Sequence, residues 1–145
     1  MSDNKEKLSN LIKANINKAR DILNDKIRAM SIIESTLSEL SANLNNKIKF
    51  VTTKHTDGDN DLIHNVYVSN MKTNSSEQLF FYYFHQERIF PVMINYQNEI
   101  TMRCDSLDEL VDFFERLVSN EGFIIKLLLT SEYNDNENND EEIPF

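Results

Sequence analysis

The sequence predicts an α+β fold: a long N-terminal helix, an antiparallel sheet of about five strands, one or two C-terminal helices and a disordered acidic tail. Three observations predict it. Residues 3–45 contain neither Gly nor Pro and repeat their apolar residues at helical spacing. Residues 47–104 consist of β-branched and aromatic runs separated by short polar turns. A capped helical pattern follows at 106–122, and from Glu132 the composition becomes polar and acidic.

In the first segment Ile16, Leu23, Met30, Leu37 and Leu44 recur every seven residues. Ile12, Ala19, Ile33 and Leu40 take the companion heptad positions, which Lys26 interrupts, and Ile22, Ile27 and Ile32 widen the stripe. Two uses fit this pattern: packing on the chain's own sheet, or pairing with a second copy. A helix of this length reaches roughly 60 Å, more than a domain of this size spans. Ile16, Leu23, Met30, Ile33, Leu37, Leu40 and Leu44 are therefore candidate dimerisation residues of a homodimer, on a helical segment 1–46.

The next segment, 47–131, carries the sheet and a C-terminal helix. "KIKFVTTK" (47–54) and "LIHNVYVSN" (62–70) flank the turn "TDGDND" and read as a hairpin. "QLFFYYFH" (78–85), "RIFPVMINY" (88–96) and "EITMRC" (99–104) continue it, and the short connections imply an antiparallel meander. Within 106–122, Ser106 and Glu109 form a capping-box pattern, and Gly122 suits the C-terminal end. Leu107, Leu110, Val111, Phe114, Leu117 and Val118 make the expected buried face. "FIIKLLLTS" (123–131) is too short an apolar run to divide between helix and strand. The tail covers 132–145.

The net charge of −9 is unevenly spread. Residues 1–49 carry nine Lys/Arg and six Asp/Glu, whereas the last fifteen residues carry six acids and no base. Such a chain is a poor general binder of nucleic acid; only Lys13, Lys18, Arg20, Lys26 and Arg28 offer phosphate a cationic surface. A single cysteine, Cys104, an N-terminus without signal-peptide layout and no apolar run of membrane-spanning length point to the cytoplasm.

Chemistry-bearing motifs are sparse. Asp57, Asp59 and Asp61 alternate as in a calcium loop, but Leu62 and Val68 stand where an EF-hand needs Gly and Glu, so a polar turn is expected. His55, His64, His85 and Cys104 share no metal-ligand spacing, and no metal or cofactor is expected. Two glycines cannot write a phosphate loop, and no nucleophile motif surrounds Cys104, which reads as buried and inert although a following helix could lower its pKa. No catalytic residues are assigned. In "LFFYYFH", Phe80, Tyr82 and Phe84 alternate with Phe81, Tyr83 and His85, which predicts a strand covered on both faces. The alternative is an open face for bases or a partner.

The last residues make the most specific demand. After an Asn-rich acidic run come Asp140, Glu141 and Glu142, then Ile143, Pro144 and Phe145. A terminal Phe offers both a ring for an apolar pocket and an α-carboxylate for a basic rim, while Pro restrains the backbone. This "DEEIPF" resembles the C-terminal tip of bacterial single-stranded DNA-binding proteins, an acidic cluster followed by Ile/Leu-Pro-Phe. The resemblance covers six residues. It implies docking on genome-maintenance proteins of replication, recombination and repair, with Phe145 as principal anchor. The body departs from that family, whose OB-fold begins with strands, so the docking peptide carries over and the DNA-binding activity does not.

The expected function is a non-enzymatic interaction protein, encoded by a phage or other mobile element, that mimics this tip to dock on host proteins. A single-stranded nucleic-acid binder that recruits partners through its tail is one alternative. A small acidic chaperone or immunity protein is the other.

Overall fold

The computed structural model describes the backbone of residues 2–96 and 100–142. The elements run α1 (Ser2–Asn43), β1 (Ile48–Thr56), β2 (Leu62–Asn70), β3 (Ser76–His85), β4 (Ile89–Tyr96), β5 (Ile100–Cys104), α2 (Leu107–Val118) and α3 (Glu121–Glu142). The long helix, five-stranded antiparallel sheet and two C-terminal helices match the expected α+β architecture. The run at 123–131 is helical, and α3 carries on past Glu132, where the composition becomes acidic.

The strands form a meander in the order β1-β2-β3-β4-β5, each pairing antiparallel with its chain neighbour. Short connections enforce this, because neighbouring strands joined by a few residues can only reverse. Only two glycines are available, and among the described residues asparagine takes four of the left-handed backbone positions, Ile89 (φ 72°) being the other. Asn45 and Asn46 (φ 57° and 56°) end α1, and Asn60 (φ 65°) shapes the β1–β2 turn. Between Val66 and Tyr67 the register of β3 slips by one, leaving Leu79 as an inserted residue; the bulge buries it.

The core lies on one face of the sheet. Val66, Val68, Phe80, Tyr82, Val92 and Ile94 point into it from the three central strands. Helices close it: Ile33 and Leu37 of α1, Leu110, Phe113, Phe114 and Leu117 of α2, and Phe123 and Leu127 of α3. Aromatic edges fill the layer, with the Phe114 ring 6.0 Å from Phe80 and 5.1 Å from Phe113, and Phe123 5.8 Å from Tyr96. Burial of each such side chain contributes about 1.5–3 kcal/mol.

Two details of α2 differ from expectation. Ser106 is its N-cap, accepting from Glu109 N at 3.2 Å as in a capping box, but the Glu109 carboxylate reaches back to Asp105 N, one residue before the N-cap N–H that the full box would use. Gly122, however, does not end the helix. Ser119 is the C-cap, Asn120 Oδ1 accepts from Phe123 N at 3.0 Å, and Gly122 falls in the first turn of α3. The buried face is Leu110, Phe113, Phe114 and Leu117 with Leu107 partly covered, whereas Val111 and Val118 face outward. A helix seam three or four residues apart selects Phe113 over the flanking valines.

The sheet also sets where its two long helices leave the body. Ser41 Oγ donates to Ile48 O (2.9 Å), so the end of α1 sits where β1 starts beside Asn70. Lys26, four turns earlier, lies over the Phe84 ring at the opposite end of the strands. Helix α3 runs from Tyr96 past Glu77, which pairs with Lys126 at 3.2 Å, to Asn70, whose Nδ2 donates to Thr130 O and Ser131 O. Thus α1 projects its N-terminal part beyond the Phe84 end, and α3 projects its C-terminal part beyond the Asn70 end.

Candidate functional site

Asp140, Glu141 and Glu142 close α3, which holds the acidic run as a continuation of a helix rooted in the core. Ile143, Pro144 and Phe145 lie outside the described residues.

The seven candidate dimerisation residues divide between two environments. Ile33 (1 % exposed) and Leu37 belong to the chain's own core, and Met30, Leu40 and Leu44 pack against it. These five are occupied within the chain, the first of the two uses the pattern allows. Ile16 and Leu23 are exposed. The division follows from length: a 42-residue helix extends about 63 Å, and the sheet underlies only its second half. Every residue from Asp3 to Asp21 is exposed, giving a projecting arm about 30 Å long. Lys13, Lys18 and Arg20 lie on it, with Lys26 at its root half-buried over Phe84.

On the sheet, the aromatic strand is not covered alike on both sides. Phe80, Tyr82 and Phe84 face the helices, whereas Phe81 and Tyr83 lie on the other face with Tyr67 and Met93 and belong to no part of the core cluster. Among the described residues no helix packs there. Double cover was expected because both faces are aromatic; tyrosine and phenylalanine instead half-bury one another across neighbouring strands.

The remaining polar candidates act as structural hydrogen-bonding groups. Asp57 Oδ1 accepts from Asp59 N (2.9 Å) and Asp61 N (3.0 Å), and Asp61 Oδ1 accepts from Gln86 Nε2 (3.1 Å), so the aspartates shape a turn. His55 Nδ1 lies 2.8 Å from Asn65 Nδ2, and His85 Nδ1 accepts from Glu87 N and Arg88 N in the β3–β4 turn. His64 is buried, stacked 4.6 Å from Tyr82, and its Nδ1 has no hydrogen-bond partner among the described residues. Burial first, then Lys54 and Lys26, lower its pKa to about 4, so the ring is neutral at pH 7. Cys104 is buried beneath α2, and burial with Glu109 and Asp105 pushes its thiol up to about 11. Burial, with the two carboxylates adding to it, thus keeps the thiol protonated at neutral pH.

What the sequence did not single out is the outward face of α2 and α3. Val111, Val118, Ile125, Leu128 and Leu129 are 37–56 % exposed there. Their signal was present: α3 opens with an apolar run on all sides, which one covered face cannot use up. Comparison with protein-family models, curated proteins and solved structures finds no match to this chain. Among the described residues, no helix is long and apolar enough to cross a membrane.

Proposed function

We propose that this chain is a non-enzymatic, cytoplasmic interaction protein that presents the "DEEIPF" segment to partners of the single-stranded DNA-binding protein tip. The observation that carries this is the acidic run ending in Ile143, Pro144 and Phe145. Phe145 supplies a ring for a pocket, its α-carboxylate pairs with a cation at the rim, and Asp140, Glu141 and Glu142 meet a basic ridge. Helix α3 supports the proposal because it continues from Phe123 and Leu127 in the core through the acidic run to Glu142. An origin in a phage or other mobile element suits a short docking peptide on an unrelated body, and the targets would be host replication, recombination or repair proteins.

The test is capture from bacterial lysate by the intact chain and by the Phe145-deleted chain, at low and high salt. Genome-maintenance proteins retained only by the intact chain, and released by salt, are the expected result. Appending residues beyond Phe145 should weaken capture as deletion does, because the free carboxylate is then lost. Equal capture by all three chains overturns the proposal.

A second use is favoured by the uncovered sheet face. Tyr67, Phe81 and Tyr83 offer ring surface on which unpaired bases can stack, and Arg103 and Lys49 flank that face. An electrophoretic shift of single-stranded DNA at low salt, lost in Phe81→Ala/Tyr83→Ala, would support it. No shift at micromolar protein would end it.

A further inference from the structure

We infer that two copies of this chain exchange their N-terminal arms, the arm of each lying on the outward face of α2 and α3 of the other. The arm here is α1 up to Arg28. Among the described residues fourteen large hydrophobic side chains are exposed, and eleven of them fall on two parts of the chain, the arm and the pair α2 and α3. Six lie on the arm: Leu8, Leu11, Ile12, Ile16, Leu23 and Ile27, 45–66 % exposed. Five are the outward residues of α2 and α3, from Val111 to Leu129.

The arm cannot cover its own α2 and α3. The helix is unbroken from Ser2 to Asn43, so its N-terminal part is carried straight past the Phe84 end of the sheet and away from the body. An unsupported helix of about twenty residues is marginal in water, and an apolar stripe along it stabilises nothing until something covers it. Its spacing also argues against a simple coiled coil of two α1 helices. Leu8, Ile12, Ile16, Ala19, Leu23 and Ile27 step by 4, 4, 3, 4 and 4, longer than the 3.5-residue repeat a coiled-coil seam keeps.

Charge identifies the occupant as a second copy. Residues 3–28 carry seven Lys/Arg against four Asp/Glu, a net +3. Residues 106–132 carry six Asp/Glu against two Lys/Arg, a net −4, and Asp112 and Glu115 are exposed beside Val111 and Val118. A basic apolar helix therefore faces an acidic apolar surface, which is absent from the arm itself. Because each copy owns one of each, a two-fold axis satisfies both contacts at once and closes the assembly as a dimer.

The experiment uses the full chain. Ile16→Cys in one preparation and Leu129→Cys in another are mixed and treated with a short bismaleimide; Cys104 is buried and stays silent. Cross-links between the two variants should exceed either variant's self-cross-links by about tenfold. Sedimentation should give a dimer of the unmodified chain that weakens about tenfold with added salt. Lys13→Glu/Lys18→Glu/Arg20→Glu should yield folded monomer whose thermal transition is cooperative and independent of protein concentration. Adding Asp112→Lys/Glu115→Lys to a second copy should restore pairing in the mixture. Monomer at about 100 μM, predominant Ile16→Cys self-cross-linking, or an arm that binds anionic vesicles and not a second copy would each overturn the inference. The inference does not depend on the tip, because deleting Phe145 leaves both surfaces intact.

Discussion

The two halves of α1 share one backbone geometry and one kind of apolar spacing, yet they differ in everything that spacing is taken to mean. From Ile22 onward the helix places Ala29, Ile33 and Leu37 in the core and leans Met30, Leu40 and Leu44 against it. From Asp3 to Asp21 every residue is exposed. Periodicity reports that a helix has a face; it does not report whose surface meets that face. That depends on how far the sheet reaches beneath the helix.

The largest expected effect comes from attacking the buried half. Ile33→Ala should cost roughly 2–5 kcal/mol, read as a lower urea midpoint, since it opens a cavity in a closed layer. An equal loss from Ile16→Ala at high dilution would erase the distinction between the halves. Next is His64, beneath the root of α1. Its folded-state pKa of about 4 lies below the ordinary 6.5, so the unfolded chain binds the extra proton between those values. Stability is then fully present above pH 6.5 and falls as pH drops toward 4, by at most about 3 kcal/mol. His64→Leu should flatten that part of the pH profile, measured as the difference between the two chains.

A smaller effect tests the support on which the buried half leans. Ser106→Ala removes the N-cap of α2, and thermal unfolding should show a loss of about 1 kcal/mol. Smallest of all, Ile16→Ala or Leu23→Ala should change the body's unfolding by less than about 0.5 kcal/mol when copies are kept apart by dilution. Hydrogen exchange sharpens the contrast directly. Under the same dilution, amides of the arm should exchange nearly unprotected, while those around Ile33 and Leu37 should approach global protection.

Element order was legible because each element announces itself locally. The Gly- and Pro-free stretch, the alternating runs and the Ser106–Glu109 cap are short-range signals, and all three became the structure they predicted. What stayed hidden was tertiary. Val111 and Val118 sit next to true core positions in the chain, and the angle at which α2 meets the core turns Phe113 inward instead. The one-sided sheet was hidden for a related reason, since Phe81 and Tyr83 gain cover from their own strand neighbours. The backbone of the turns was hidden too, because with glycine scarce it is asparagine that enters the left-handed region, at Asn45, Asn46, Asn60 and Asn74. The docking tip was legible as chemistry alone, with Ile143, Pro144 and Phe145 beyond the described residues.

The meander has a consequence for how the protein survives at high concentration. Among the described residues the sheet, in the order β1 to β5, does not close, and no further strand pairs with the outer side of β1 or β5. Strand β5 is only five residues long, a short template, but β1 runs for nine and is exposed over most of its length. Such a rim invites a foreign strand to add on and propagate. Lys49 and Lys54 on β1 oppose this, because stacking one copy's rim on another's would bring like charges together along the growing edge. These two lysines therefore act as gatekeepers against fibrous growth, a role that their place in the native fold would not disclose.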